Sequence, residues 1–481
     1  MKRWRHAAVV TAILCASCAG LPPKPKIVHL SSVAPLDDMQ PSGGEWPAKQ
    51  WWKRYQDPAL DQLIELALAS SPTLSTARDR YESARQSVRI AGAAAGAHVD
   101  ANADTSRQRL SDNGLFPPQL LGFTWYNQSD LGLQASYTFD WWGKQRDSVE
   151  AAMDQAHAAQ ADRSAAALVL TSSIADTYFG WQADQSRLSL ARERESIVER
   201  EGAITGARVK ADLDPADDVN RSDLALAAER EQIAGLEGSA KLRVVALAAL
   251  VGRSVAELPQ LHPGPLPSFP GGLPDDVRID LIARRADVTA SRWRVEAAQR
   301  TADSARAEFF PDVSVNALIG VSSVDVGKLL EYGSRVPQAT AAIHLPIFDA
   351  GRLKARYGGT QAAIDAAVSG YQETVVSAAR DVGMQASTRA QIAAQRAQRL
   401  IQLDAAGQLK GSAAARERQG ITDSRPELTA TESWLEQRDA LLQLDAAAIS
   451  ADIALQRALG GGYESPQTLA NPHSASMTTT R

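Results

Sequence analysis

Cysteine, histidine and glycine-lysine positions are where this 481-residue chain could do covalent, metal or phosphate chemistry, and their spacing permits little of it. The seven histidines stand at 6, 29, 98, 157, 262, 344 and 473, without the close pairing on one helix face that holds a catalytic metal. Gly143-Lys144 has no upstream glycine to let the backbone wrap a phosphate, and no Gly-x-Ser-x-Gly turn projects a nucleophile. Neither a cofactor nor an enzymatic activity is therefore expected. One residue is set for a reaction: Cys18, directly after the small residues Ala16 and Ser17, has the setting of an acyl acceptor.

The residues before Cys18 explain that setting. Lys2, Arg3 and Arg5 precede an apolar run from Ala7 to Ala16 that is too short to span a bilayer, so residues 1–17 read as an export signal. The stretch Leu14-Cys15-Ala16-Ser17-Cys18 resembles a bacterial lipobox, with Cys15 where leucine is usual. Both cysteines of the chain lie here, which leaves no disulfide framework for the mature protein. Residues 18–44, carrying Pro22, Pro23, Pro25, Pro35 and Pro41, read as an extended tether after a lipidated terminus. A net charge of -5 without a basic patch among aromatics argues against nucleic acid as a partner.

Elements that must position everything else come in two sets. Ser71 to Arg78 aligns with Arg285 to Arg292, about 210 residues later, and Phe139-Asp140-Trp141-Trp142-Gly143-Lys144 aligns with Leu345-Pro346-Ile347-Phe348-Asp349-Ala350-Gly351-Arg352 once two residues are inserted before the glycine. Pro215 is mirrored by Pro426, and Pro259 by Pro466. The chain is expected to be internally duplicated, with a first repeat over 45–260 and a second over 275–462, followed by a flexible tail over 463–481.

Each repeat changes period in the same order. Alternating apolar and polar residues predict strands at about 98–107 and 129–141 in the first repeat, and at about 312–322 and 336–348 in the second. Long proline-free runs predict helical hairpins over about 147–252 and 352–459, turning near Pro215 and Pro426 and stopping at glycines. Gly180, Gly202 and Gly206 are candidate interruptions of the first. Four strands of about ten residues have the alternation of a membrane barrel with a polar lumen but cannot close one alone, because the smallest such barrels need about eight. A half-buried soluble sheet has the same periodicity, and no run of eighteen apolar residues offers a spanning helix.

In order and spacing, Trp51-Trp52 through Asp57-Pro58-Ala59-Leu60, Phe139 to Gly143, Arg285-Ala286-Asp287 to Phe309-Phe310-Pro311-Asp312, and Leu345 to Arg352 resemble the TolC-like outer-membrane efflux family. The nearer resemblance is to its lipoprotein branch serving resistance-nodulation-division pumps. It implies an α+β membrane protein in which a homotrimer pools four strands per chain into a twelve-stranded β-barrel, continued by a long α-helical barrel in the periplasm. It further implies an outer-membrane location, a periplasmic adaptor and an inner-membrane pump as partners, and passive conduction of small toxic compounds. A duct for secreted protein driven by an ATP-dependent partner, and a structural coiled-coil lipoprotein, are the alternative functions.

On this resemblance the hairpin tips become the periplasmic mouth and the candidate adaptor-docking surface: Arg208, Asp212, Asp214, Asp217 and Asp218 at the first tip, Arg418, Gly420, Asp423 and Glu427 at the second. Two departures stand out. Pro426 and Thr429 occupy positions where the family has acidic residues, and the first tip, Arg208-Val209-Lys210-Ala211, lacks the glycine of Arg418-Gln419-Gly420. Asp214 before Pro215 also reads as a helix N-cap, and Asp217 and Asp218 as acidic residues favoured by a helix N-terminus.

Overall fold

A computed structural model of the protein describes residues 22–24, 30, 43–113, 117–267, 272–274 and 277–464. The export signal, Cys18 and most of the expected tail lie outside the described residues. Nine α-helices and four strands are formed among them: α1 (Pro58–Ser70), α2 (Pro72–Ala94), β1 (His98–Arg109), α3 (Pro118–Leu121), β2 (Trp125–Phe139), α4 (Lys144–Lys210), α5 (Asp217–Val251), α6 (Val277–Arg284), α7 (Ala286–Ala307), β3 (Asp312–Ser323), β4 (Arg335–His344), α8 (Arg352–Arg418) and α9 (Arg425–Ala458). The chain divides into two compact units, one of residues 1–30, 81–158 and 291–371, the other of residues 31–80, 159–290 and 372–481.

The first unit holds one antiparallel sheet in the order β1-β2-β3-β4. Its two hairpins come from distant parts of the chain and meet where β2 pairs with β3, Leu133 opposite Ile319. β1 and β4 are left as open edges. β2 starts at Trp125, earlier than the alternation suggested, and β4 ends at His344 rather than near 348. The early stop follows from the register, since His344 pairs with Asp312, the first residue of β3, and no partner strand lies beyond it. Beyond the sheet, the repeated Phe-Asp element does the same work twice. Asp140 accepts from the backbone N–H groups of Gln145 and Arg146 (3.0 and 2.8 Å), and Asp349 from those of Gly351 and Leu353 (3.1 and 2.8 Å). Each carboxylate thereby satisfies orphan donors where a long helix begins. Trp142 stacks on Phe310 with ring centroids 4.5 Å apart and donates its indole N–H to the Pro311 carbonyl.

The second unit is a helical bundle whose thickest core lies around α1. Asp57 caps that helix through the Ala59 and Leu60 N–H groups, with Pro58 at the first helical position. Leu60, Leu63, Ile64 and Ala67 then fall on one face and are fully buried against Ile174, Tyr178, Leu247 and Val251. Each such aliphatic side chain contributes roughly 1.5–3 kcal/mol by leaving water. α4 and α8 are 67 residues each, about 100 Å of rise at 1.5 Å per residue. α4 runs unbroken through Gly180, Gly202 and Gly206. At Gly180 a Cβ would collide with the Arg243 guanidinium, which lies across the helix to reach Asp184 at 2.7 Å. Away from the aromatic core, cross-helix ion pairs fix the register: Arg187 with Asp439 (2.8 Å), Arg194 with Glu229 (2.6 Å) and Arg396 with Asp445 (2.6 Å). Removing one member strands a partly buried charge, whereas the pairs themselves add little net stability.

Candidate functional site

Register gives the sheet two unlike faces. Because odd residues pair with odd across all three ladders, Ala103, Leu131, Val321 and Arg335 form one row, and Ala101, Leu133, Ile319 and Pro337 the next. Further rows on this face carry Val99, Ala135, Ala317 and Ala339, then Phe139, Val313 and Ile343. The even rows are polar apart from Leu318: Asp100, Gln134 and Gln338 surround that leucine, followed by His98, Ser136, Asn316 and Thr340, and by Asp104, Asp130 and Ser322. Within one chain the apolar face is uncovered, with Leu133 at 56%, Ile319 at 73% and Ile343 at 74% exposure. An apolar face of this size marks a surface that meets a membrane or another chain, and each open edge is a place where a further strand can pair.

The helical hairpins close at two turns with one geometry but different residues. At the end of α4 the Leu213 N–H returns to the Arg208 carbonyl, and at the end of α8 the Ile421 N–H returns to the Arg416 carbonyl. This turn needs a left-handed residue. Gly420 supplies it at φ 69°, and Asp212 supplies it at φ 55°. The structural counterpart of Gly420 is therefore Asp212, one of the few residue types that tolerate this region with a side chain, and that of Arg208 is Arg416.

A chain of charges joins the two turns. The Arg208 guanidinium donates to both Asp214 carboxylate oxygens at 2.7 and 2.9 Å, a bidentate fork. Arg425 reaches the same carboxylate at 3.8 Å and binds Asp423 at 2.9 Å. The hydrogen bond from Arg208 holds the Asp214 carboxyl below its ordinary range, with Arg425 adding to the effect. Arg425 does the same for Asp423. The sequence had not marked Arg425 as a site residue; the available signal was a lone arginine just before the mirrored proline, opposite an acidic turn.

Of the other tip candidates, few join this network. Asp214 does not cap α5: that helix begins at Asp217 after Ala216, which makes no side-chain cap, because both Asp214 oxygens are turned to Arg208. Asp212 serves the backbone turn. Asp217 and Asp218 open α5, and Asp218 pairs with Arg221 one turn on. Arg418 folds back to the Ala414 carbonyl of its own helix at 3.2 Å, and Glu427 accepts from the Thr431 hydroxyl at 3.1 Å. Beside this second tip lies a groove of about 570 Å³, lined by Ala406, Leu409, Ala413, Pro426, Thr429 and Ala430.

An unsatisfied two-faced sheet in one unit, and paired helical hairpins ending in an ionic turn in the other, are the parts of a membrane channel subunit. Comparison with known proteins identifies which. The model of the outer membrane efflux protein family matches residues 63–253 and again 278–461, and the chain belongs to that family. The multidrug resistance outer membrane protein MdtP of Shigella flexneri is 31% identical over 448 residues, covering 92% of this chain and 91% of that one. Among solved structures, the outer membrane protein VceC of Vibrio cholerae is 31% identical with a TM-score of 0.78, covering 87% of this chain and all of VceC. The MtrE outer membrane channel of Neisseria gonorrhoeae is 26% identical with a TM-score of 0.73, covering 92% and 98%. The protein is an outer-membrane efflux channel with a periplasmic helical part.

Proposed function

We propose that three copies of this chain pool their sheets into one twelve-stranded barrel, β4 of each copy pairing with β1 of the next, with the apolar face toward lipid and the polar face toward a water-filled lumen. The observation that carries this reading is the apolar sheet face between two open edges. Closure removes those edges and leaves no backbone group unpaired in hydrocarbon. The α-helices then line a periplasmic conduit that receives cargo from a periplasmic adaptor and an inner-membrane pump of the resistance-nodulation-division type. Small toxic compounds are its cargo, in keeping with the multidrug naming of MdtP. The chain supplies a path and a gate, and the energy comes from the pump.

The gate is the ionic chain Arg208–Asp214–Arg425–Asp423, which ties the first hairpin turn to the second. Docking of the adaptor uses the same ends: the groove beside Thr429, with Arg418, Gly420 and Glu427 on the second tip and Asp212, Asp217 and Asp218 on the first. Cys18 is the lipidated terminus. Supporting this, Pro22 accepts from Arg306 at 3.2 Å and Pro23 from the Tyr357 hydroxyl at 2.6 Å, next to the helices that flank the sheet. Four residues of chain reach at most about 14 Å, so an acyl group on Cys18 stays near the sheet's helical end.

Heat-modifiable trimers in gels and stepwise ion conductance in planar bilayers are the expected behaviour of the purified protein. A stable monomer that leaves bilayers silent would overturn the duct. Mass spectrometry of the mature terminus decides the anchor: an unacylated terminus downstream of Cys18 would defeat it.

A further inference from the structure

Three arginines stand on the apolar face of the sheet toward its loop end, two at the top of β1 and one lower, at the start of β4. Arg107 and Arg109 continue the odd row of β1 beyond Ala103 and Thr105, and Arg335 opens the odd row of β4. All three share the face of Leu131, Leu133 and Ile319, and not the polar face. They sit at the end of the sheet that carries the hairpin loops, which is the outer end when the helices are periplasmic.

Height places Arg107 in the headgroup layer. From Ala135, in the middle of the apolar band, to Asn127, the partner of Arg107, is eight residues. At about 3.4 Å per residue and a tilt near 40–45°, that is roughly 20 Å above the band centre, where a bilayer of 40–45 Å total thickness has its outer polar groups; Arg335, in the row of Leu131, starts only roughly 10 Å above that centre and reaches the same layer by extending its long side chain outward.

Two of the three guanidiniums have no carboxylate partner among the described residues, and the third, Arg109, pairs only at the surface. Arg107 lies over the Trp125 ring at 5.6 Å and Arg335 over Tyr332 at 4.4 Å, and neither makes an ion pair among the described residues. Arg109 has only an exposed contact with Asp112 at 3.4 Å. Stacking on an aromatic face orients a guanidinium and leaves its N–H fork for an anion. β1 and β4 are the two edges of the sheet, so barrel closure brings Arg335 of one copy to the same seam as Arg107 and Arg109 of the next.

We propose that each subunit seam is a binding site for the phosphorylated headgroup of an outer-leaflet glycolipid, held by Arg107, Arg109 and Arg335, with Trp125 and Tyr332 at the interface. The inference rests on the trimeric barrel, since a single chain carries only the separate halves of the site. Planar guanidiniums match phosphate oxygens bidentately, and charge-assisted bonds of this kind are the strong ones.

Native mass spectrometry of the full-length protein in detergent tests it, with purified diphosphoryl lipid A and the same lipid stripped of phosphate as probes. The wild-type trimer should retain up to three lipid A molecules and hold the dephosphorylated lipid at least about tenfold more weakly. R107Q/R109Q/R335Q should lose retention of lipid A to the same degree while keeping heat-modifiable trimers and unchanged conductance. Equal retention of the two lipids by wild type overturns the proposal without recourse to any variant, and so does full retention by an assembled triple variant. A wild-type protein that forms no trimer takes down the barrel reading and this inference with it, whereas intact trimers indifferent to phosphate remove only the lipid site.

Discussion

The sheet and the helical bundle solve the burial of apolar side chains in opposite ways. In the bundle the chain completes its own core: Leu63, Ile64, Ile174 and Leu247 are fully buried by neighbours from the same polypeptide. In the sheet the chain stops short, and Leu133, Ile319 and Ile343 remain largely uncovered on a regular four-stranded ladder with open edges. An exposed apolar face of that size on a well-formed element signals a surface meant for lipid. The bundle can therefore be understood from one chain, whereas the sheet is left unfinished by one chain and is completed only in the trimeric barrel proposed above.

Substitutions in the two regions should separate these solutions. The largest effect is expected from Leu63→Ala, which empties a fully buried site and should cost roughly 2–5 kcal/mol, read as a lower midpoint of thermal unfolding in any detergent. If Leu63→Ala leaves the midpoint in place, α1 is not part of a packed core. Leu133→Arg should cost about 2–4 kcal/mol only where the face meets lipid, and should impair trimer assembly in bilayers much more than Gln134→Arg on the polar face. Equal tolerance of the two would mean a soluble sheet.

Smaller effects belong to the tip and to a single carboxyl. Asp214→Asn removes the charge shared by Arg208 and Arg425 while keeping the side-chain shape. Purified trimers should then open more readily, with higher mean conductance in bilayers, and wild type should approach that behaviour in high salt as exposed pairs are screened. Conductance that stays at the wild-type level would leave the ionic chain a local brace. Burial pushes the carboxyl of Asp154, near the start of α4, up to about 6, with Glu296 and Glu150 acting in the same direction and Arg300 against it. A carboxyl whose folded pKa exceeds the unfolded one destabilises the fold when ionised. Stability should rise as pH falls through about 6 toward the ordinary aspartate range, and Asp154→Asn should flatten that part of the profile. Superimposable wild-type and variant melting curves at pH 5 and pH 7.5 would refute the coupling.

Much of the architecture was legible because its causes are local. Alternation at period two in Leu131, Leu133 and Ala135, and in Val313, Val315 and Ala317, needs no knowledge of neighbours to mark a two-faced strand. Proline-free runs ending at Pro215 and Pro426 marked the hairpins for the same reason, and the order of the Trp51, Phe139, Arg285 and Leu345 elements carried the family. The tip was less legible, because a candidate list of acidic residues has no partners. Asp214 looked like a helix cap from Pro215 beside it, yet an arginine six residues earlier outcompeted the backbone N–H groups.

By itself, then, the sequence determined which segments are strand or helix, which face of each strand is apolar, and where the hairpins turn, all set by neighbours within a few residues. Tertiary structure alone decided that β2 meets β3 across nearly two hundred residues, that Asp212 takes the left-handed place glycine holds at the other turn, and that Arg425 reaches Asp214. Those outcomes depend on side chains brought close only when distant segments have already been folded against each other, where a carboxylate binds whichever donor offers the better geometry.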